Sequence, residues 1–249
     1  MSSKTIIKLN PNPEDFGKTP DKLTAEMFDS PLPSQNTHSL YENDEIGLYV
    51  GVWDTSEMIE KAGPYICDEF MWILEGEVEI KNCRTGLKQK VKAGEAFVIP
   101  KGYHCQWHQT GYLRKFYLIA EHPDDDSSKQ NAPQEIIKFE PTSATETKSS
   151  FDPINIKDQG CIRSNNISYK NCNGKFYTGS WSSDSFESEL RSFPVNEIVH
   201  IVGGSLILTD DTGKQYLFVK GDAFFVPEGV ICKWQSQEYI ELIYAVLES

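Results

Sequence analysis

The sequence predicts an all-β chain of two tandem barrel or sandwich domains related by internal duplication, and three observations carry that prediction. Residues 94–107 (GEAFVIPKGYHCQW) recur as residues 221–234 (GDAFFVPEGVICKW), with Gly, Ala, Phe, Pro, Gly, Cys and Trp at matching offsets. Short runs of β-branched and aromatic residues recur at regular spacing with turn residues between them, while helical periodicity is nearly absent. The 249 residues divide into two stretches of ordinary domain size, each long enough to bury its own core.

The duplication reaches well beyond that stretch. Gly51-Val52-Trp53 matches Gly179-Ser180-Trp181, and Asp68-Glu69-Phe70 matches Asn196-Glu197-Ile198. Ile6-Ile7-Lys8-Leu9 has an echo in Ile136-Ile137-Lys138-Phe139, so a whole domain is repeated and not a solenoid unit of a few dozen residues. The expected division is a domain over 1–120 with an extended arm, an acidic linker over 121–135, and a second domain over 136–249.

Taken in order, residues 1–46 form an arm rich in Pro, Asn and Asp. Within it Ile6 to Leu9 reads as a short strand. Pro20 to Phe28 has room for about two helical turns, with Leu23 and Met27 at i,i+4 spacing. Asp29 to Asn43 reads as loop, which either wraps a barrel edge or serves as a lid. Strands are then expected over Glu45–Trp53, Phe70–Leu74, a half-buried run around Val78 and Ile80, Lys88–Lys92, Ala96–Ile99 and Leu113–Ala120. After the linker and a polar segment at Thr142–Lys148, they recur over Lys175–Trp181, Glu197–Val202, Leu206–Thr209, Gln215–Val219, Ala223–Val226, Ile231–Gln235 and Ile240–Leu247. In the repeated stretch a Gly turn opens the strand and a Pro-x-Gly turn closes it, proline setting φ at the turn's first position. The next strand then holds Cys105 and Trp107 on one face, two residues apart.

A net charge of −13 with no Lys/Arg run argues against a nucleic-acid partner, which needs a basic patch to neutralise phosphates. No apolar run approaches the length of a membrane span, and no membrane partner is expected. The start lacks the basic-then-apolar pattern of a signal peptide, and the six cysteines show no paired CxxC spacing. A cytoplasmic location with reduced thiols is therefore expected.

Glu69 followed by Gly76, and Gly94 followed by Pro100 and Gly102, resembles the two motifs of the cupin superfamily; Glu197, Gly204, Gly221, Pro227 and Gly229 repeat the frame. Asp68-Glu69-Phe70 through Glu77, with Pro100-Lys101-Gly102, Trp107, Arg114-Lys115 and Tyr117, is similar to the domain family named for (S)-ureidoglycine aminohydrolase, which includes ethanolamine-utilisation cupins. The resemblance implies two RmlC-like jelly-roll barrels, a bicupin. It implies activity only weakly, because one fold hosts many functions.

Metal-dependent cupins hold their ion with three histidines and a glutamate. Here the glutamates stand at Glu69 and Glu197, while the histidine positions fall on Gly63, Tyr65 and Cys105 in the first half and on Arg191, Phe193 and Cys232 in the second. No metal site of that kind and no cofactor is expected from such a set. The five histidines, at 38, 104, 108, 122 and 200, are expected at the surface, those on strands having opposite parity to the motif residues.

The expected inward set of the first barrel is Tyr65, Glu69, Cys105, Trp107 and Tyr117. Glu69, Tyr65 and Cys105 are the candidate catalytic groups: Glu69 as general base or as a satisfied structural carboxylate, Cys105 as nucleophile or as a small apolar side chain. Trp107, Tyr117 and Lys115 are candidate ligand-binding residues, with Glu197, Cys232 and Trp234 their counterparts in the second half. Between the halves Tyr65 becomes Phe193, Asp68 becomes Asn196 and Lys115 becomes Leu242, so the working pocket is expected in the first barrel. Three functions stay open: an enzyme acting on a small nitrogen-containing metabolite, a metal-free small-molecule binding protein, and a purely structural bicupin. A homodimer is a further expectation.

Overall fold

The computed structural model describes residues 5–121, 135–139 and 163–249, and it is all-β apart from a single 3-10 turn at Ala25–Met27. The strands are β1 (Ile7–Lys8), β2 (Gln35–Asn43), β3 (Leu48–Thr55), β4 (Met58–Ile59), β5 (Gly63–Pro64), β6 (Asp68–Glu75), β7 (Glu77–Asn82), β8 (Lys88–Lys92), β9 (Ala96–Ile99), β10 (His104–Gln109) and β11 (Leu113–Ala120). They continue as β12 (Ile137–Lys138), β13 (Arg163–Lys170), β14 (Phe176–Ser183), β15 (Phe186–Glu187), β16 (Arg191–Ser192), β17 (Asn196–Gly203), β18 (Ser205–Asp210), β19 (Gln215–Val219), β20 (Ala223–Val226), β21 (Ile231–Ser236) and β22 (Ile240–Leu247). Among the described residues no helix is long and apolar enough to cross a membrane.

Of the described residues, those within 10–138 and 171–173 form one compact unit, and those within 1–9, 139–170 and 174–249 form the other. In the first unit, β12-β9-β6-β11-β3-β2 form a six-stranded sheet and β4-β10-β7-β8 a second, with β5 also paired to β10. The other unit repeats this plan strand for strand, as β1-β20-β17-β22-β14-β13 and β15-β21-β18-β19 with β16 on β21. Every pairing is antiparallel, as short connections and alternating side chains require.

The arms depart from the expected boundaries. β1 pairs with β20 and Ile6 joins the core of the unit made mostly of residues 174–249, while β12 pairs with β9 and Ile136 joins the core of the other unit. Each two-residue strand covers a sheet edge that would otherwise present unpaired backbone groups. Only residues 5–9 and 136–138 pack on the barrel away from their place in the chain; the rest of the N-terminal arm stays with residues 48–120. Residues 122–134 of the expected linker, His122 and the segment Thr142–Lys148 lie outside the described residues.

Two further expectations are corrected. The two helical turns over Pro20–Phe28 reduce to the 3-10 turn, because Thr24 is extended (φ −121°, ψ 149°), makes no side-chain cap, and the chain leaves at once to bridge Phe28 to Glu60. The expected loop over Asp29–Asn43 contains β2, paired with β3 along its length. β2 is a polar edge strand that buries little, so it carries no apolar alternation to read; β13 is its counterpart on β14.

The turn chemistry explains the repeated motif. Tyr103 N–H donates to the Pro100 carbonyl at 3.1 Å, so proline opens the turn one position before the central pair, and Gly102 with φ 82° supplies the left-handed position. The Asp68 carboxylate accepts the Lys101 N–H at 2.9 Å, and Asn196 accepts the Glu228 N–H at 3.1 Å in the other unit. Asp68 and Asn196 are thus clamps on this turn. Their exchange is structurally conservative and removes no charge from the barrel interior.

Candidate functional site in the N-terminal barrel

The strand period brings the expected inward residues together. On β10 burial alternates, with Cys105, Trp107 and Gln109 buried while His104 is exposed. On β6 and β11, which lie side by side, Glu69 and Lys115 project to the same interior. With Trp53 from β3, Tyr65 ahead of β6 and Tyr117 from β11, these side chains line a cavity of about 620 Å³. Met27, Phe28, Gln35, Thr37 and Ser39 complete part of its wall, so the arm contributes lining as well as covering an edge.

The centre of the site is a buried ion pair. Lys115 Nζ donates to Glu69 Oε1 at 2.7 Å, and the two side chains are only 7% and 5% exposed. Tyr65 Oη donates to the other carboxylate oxygen, Glu69 Oε2. The Lys115 ammonium also contacts Met71 Sδ at 3.0 Å and stands 4.7 Å and 5.0 Å from the ring centroids of Trp53 and Trp107. Those two indoles meet edge to face at 6.0 Å. Trp107 is fixed from behind, its Nε1–H donating to Gln109 Oε1 at 2.8 Å, and Gln109 Nε2 in turn donates to Ser56 O and Gly111 O. Both charges of the pair are therefore bonded, which a charge in a low-dielectric interior demands.

Burial sets the titration of the lining. It pushes the Cys105 thiol up to about 12 and the Tyr117 phenol up to about 12, and drives Tyr65 well above its usual range, with Glu69 adding to the last. Cys105 is consequently a thiol, not a thiolate, at neutral pH. Glu60 differs from the lining phenols and thiols in titrating near neutrality. Burial lifts its carboxyl to about 7, the Lys115 ammonium pulls it down and the Glu69 charge pushes it up again. No motif position in the sequence marks Glu60 or Trp53 as a site residue. The signal for Glu60 was the comparison of halves, since Ser188 occupies its place: Glu60 N–H donates to Trp107 O at 3.0 Å and Ser188 N–H to Trp234 O at 2.8 Å.

Glu197, Cys232 and Trp234 are buried in the other unit, within or beside an apolar cluster, and do not line the cavity just described. There the ring of Phe193 stacks on Trp234 at 5.4 Å, Phe224 meets Trp234 at 5.5 Å, and Trp181 packs edge-on against Phe186 at 5.4 Å. Leu242 stands on β22 where β11 has Lys115. Glu197 Oε2 has no hydrogen-bond partner among the described residues, and burial pushes its carboxyl up to about 8. His200 corrects the expectation of a surface histidine. Parity does turn it away from Glu197, but β17 is a central strand covered on both faces, so the ring is 8% exposed and burial holds it down at about 4.

The positions that correspond to the cupin metal ligands converge as the resemblance implies: Gly63, Tyr65, Glu69 and Cys105 all line the cavity, with Gly63 directly opposite Cys105 across β5 and β10. The donor set does not fit a metal. One carboxylate already holds an ammonium and a phenol, and the sulfur is a protonated thiol. Among the described residues no group of three or more His, Cys, Asp or Glu is arranged to hold an ion.

A family model described as the EutQ-like cupin domain matches residues 60–117 and again residues 172–244. The chain belongs to the EutQ-like cupin family. As a bicupin it is similar along its whole length to a DUF861-family protein from Pseudomonas syringae pv. tomato, at 20% identity and a TM-score of 0.76, with 98% of this chain and 100% of that one covered. It is also similar to the protein YlbA of E. coli (12% identity, TM-score 0.51, 91% and 86% covered). A glyoxylate-induced protein of Pseudomonas aeruginosa matches at 10% identity and a TM-score of 0.54, with 91% and 83% covered. At these identities the likeness is one of fold. No curated protein sequence matches the chain.

Proposed function

We propose that this bicupin is a small-molecule-binding protein whose N-terminal barrel takes a compact, nitrogen-containing metabolite into the cavity, while the C-terminal barrel serves as scaffold. The observation that carries this reading is the contrast at matched positions. Tyr65, Lys115 and Glu60 line a cavity of about 620 Å³, whereas their counterparts Phe193 and Leu242 belong to an apolar cluster in which Phe193 stacks on Trp234, and Ser188 is bonded to the Trp234 backbone. The volume lies in the range of small-molecule sites, and the lining has the usual mixture of apolar walls with a few convergent polar groups. Two carboxylates against one ammonium at the centre, beneath indole faces, favour a ligand rich in N–H donors. The test is a thermal-shift screen of small amines, amides and ureido compounds beside carboxylic acids and sugars. The reading expects melting temperature to rise with members of the nitrogen-containing group; no rise with any of them would reject it.

A metal-free, aminohydrolase-like activity is the second reading. The observation in its favour is again Glu60, whose carboxyl at about 7 exchanges a proton readily near neutral pH. Turnover of a ureido or amide substrate that collapses in Glu60→Gln while binding persists would establish it. Cys105 fits neither reading as a nucleophile and serves as an apolar wall.

A further inference from the structure

Of the three carboxyl groups that line the cavity, Glu60, Glu69 and Glu121, one is fully engaged. Glu69 gives one oxygen to Lys115 and the other to Tyr65, and the Lys115 ammonium is held between Glu69, Met71 Sδ and two indoles. A ligand that used either group would first have to break a buried ion pair. Glu60 is anchored by its backbone instead. Its N–H donates to Trp107 O at 3.0 Å, its carbonyl accepts from Gln106 Nε2 at 3.1 Å, and it bridges to Phe28. Its carboxyl makes no hydrogen bond or ion pair among the described residues, although it lines the cavity. The counterpart in the other barrel is closed off: Ser188 Oγ accepts the Trp234 N–H at 2.8 Å.

We propose that Glu60 is the recognition residue of the cavity, and that the ligand it receives carries an organic ammonium group that pairs with the Glu60 carboxylate while Glu69 stays bound to Lys115. This deepens, and rests on, the reading of the N-terminal barrel as the ligand-binding barrel. The chemistry selects a cation over an anion. An anionic ligand would need the Lys115 ammonium, which Glu69 already neutralises, and would meet Glu60 as a like charge. A cationic one supplies the counter-charge that Glu60 lacks, beside the indoles of Trp53 and Trp107.

The pairing is coupled to protons. Glu69 on β6, Lys115 on β11, and Lys61 and Glu121 at the cavity wall are the other charged groups facing Glu60, and Lys61 is itself paired with Asp29. The phenols Tyr65 and Tyr117 and the thiols Cys67 and Cys105 are held above their ordinary values by burial, and Tyr49 is raised by its hydrogen bond to Asp44, so all five stay protonated near neutrality. His104 and His108 on β10 lie on its outer parity, and His108 stands 3.8 Å from Glu79. The ammonium requires ionised Glu60, so affinity rises with pH through about 7 and then levels.

Calorimetric titration of the full chain with butylammonium, butan-1-ol and butanoate tests this, since the three share a chain and differ in head-group charge. Butylammonium is expected to bind at least about tenfold tighter than the alcohol, with butanoate weaker still. Its affinity should climb between about pH 5.5 and 7.5 and level above about 8. Glu60→Gln should lose roughly tenfold and flatten the pH profile, while Glu60→Asp keeps the preference for the cation. Equal binding of alcohol and amine, tighter binding of butanoate, or an amine affinity unchanged in Glu60→Gln would each overturn the assignment and leave the cavity reading standing. Failure of all three probes to bind would overturn both.

Discussion

At Glu197, burial in an apolar barrel lifts the carboxyl to about 8 from an ordinary 4.5. Between those values the unfolded chain has lost the proton that the folded chain keeps, so stability falls as pH rises through that window and is fully present below it. At about 1.4 kcal/mol per unit, the penalty near pH 7 is about 3 kcal/mol. Glu197→Gln should therefore gain about 1–3 kcal/mol in urea unfolding at about pH 8 and little at about pH 4.5; identical pH profiles for variant and wild type would contradict the assignment. Glu69 occupies the matching position with Lys115 2.7 Å away. Replacing Lys115 by Leu, the residue of the other barrel, strands a buried carboxylate and should cost about 3–5 kcal/mol. Adding Glu69→Gln should recover a good part of that loss, which a double-mutant cycle would measure. Glu69, Cys105, Trp107 and Tyr117 were legible in the sequence because they recur in register, and Tyr65 because it holds a motif position whose counterpart is Phe193. The ion pair was not, because Lys115 lies far along the chain from Glu69 and only strand pairing reveals that β6 and β11 are neighbours.

Among the elements, β3 and β14 carry the repeated Gly-x-Trp for a packing reason. A Cβ at Gly51 would stand 2.4 Å from His38 O and 2.5 Å from the hydroxyl of Tyr117, and at Gly179 the same contacts fall on Asn166 O and Tyr244 Oη, at 2.2 Å and 2.8 Å. The glycine makes room for a tyrosine ring reaching across from β11 or β22, and Trp53 two residues on then faces the interior. Gly51→Ala should destabilise the protein by about 1–3 kcal/mol and displace Tyr117 from the cavity wall, readable as a lowered melting temperature together with weaker ligand binding. A variant with wild-type stability would remove this account of the motif. Strands with an apolar face were readable from alternation, and seven of those expected in the second half begin and end within two residues of the observed ones. The edge strands β2 and β13 were not, since polar residues on a half-covered edge leave no period to detect.

At the scale of the whole molecule, duplication has produced two barrels of one topology with different interiors. In one, Tyr65, Lys115 and Glu60 bound a cavity; in the other, Phe193 and Leu242 belong to an apolar core cluster and Ser188 is buried against the Trp234 backbone. Composition and repeat pattern made the fold readable, because turns and alternation are local. The proposed division of labour rests on three substitutions whose meaning appears only when the strands are assembled. The most direct test is calorimetric titration of butylammonium into wild type, Glu60→Gln and Glu197→Gln. The account predicts that Glu60→Gln loses roughly tenfold in affinity while Glu197→Gln binds as wild type does. Equal loss in both variants, or loss in Glu197→Gln alone, would contradict it.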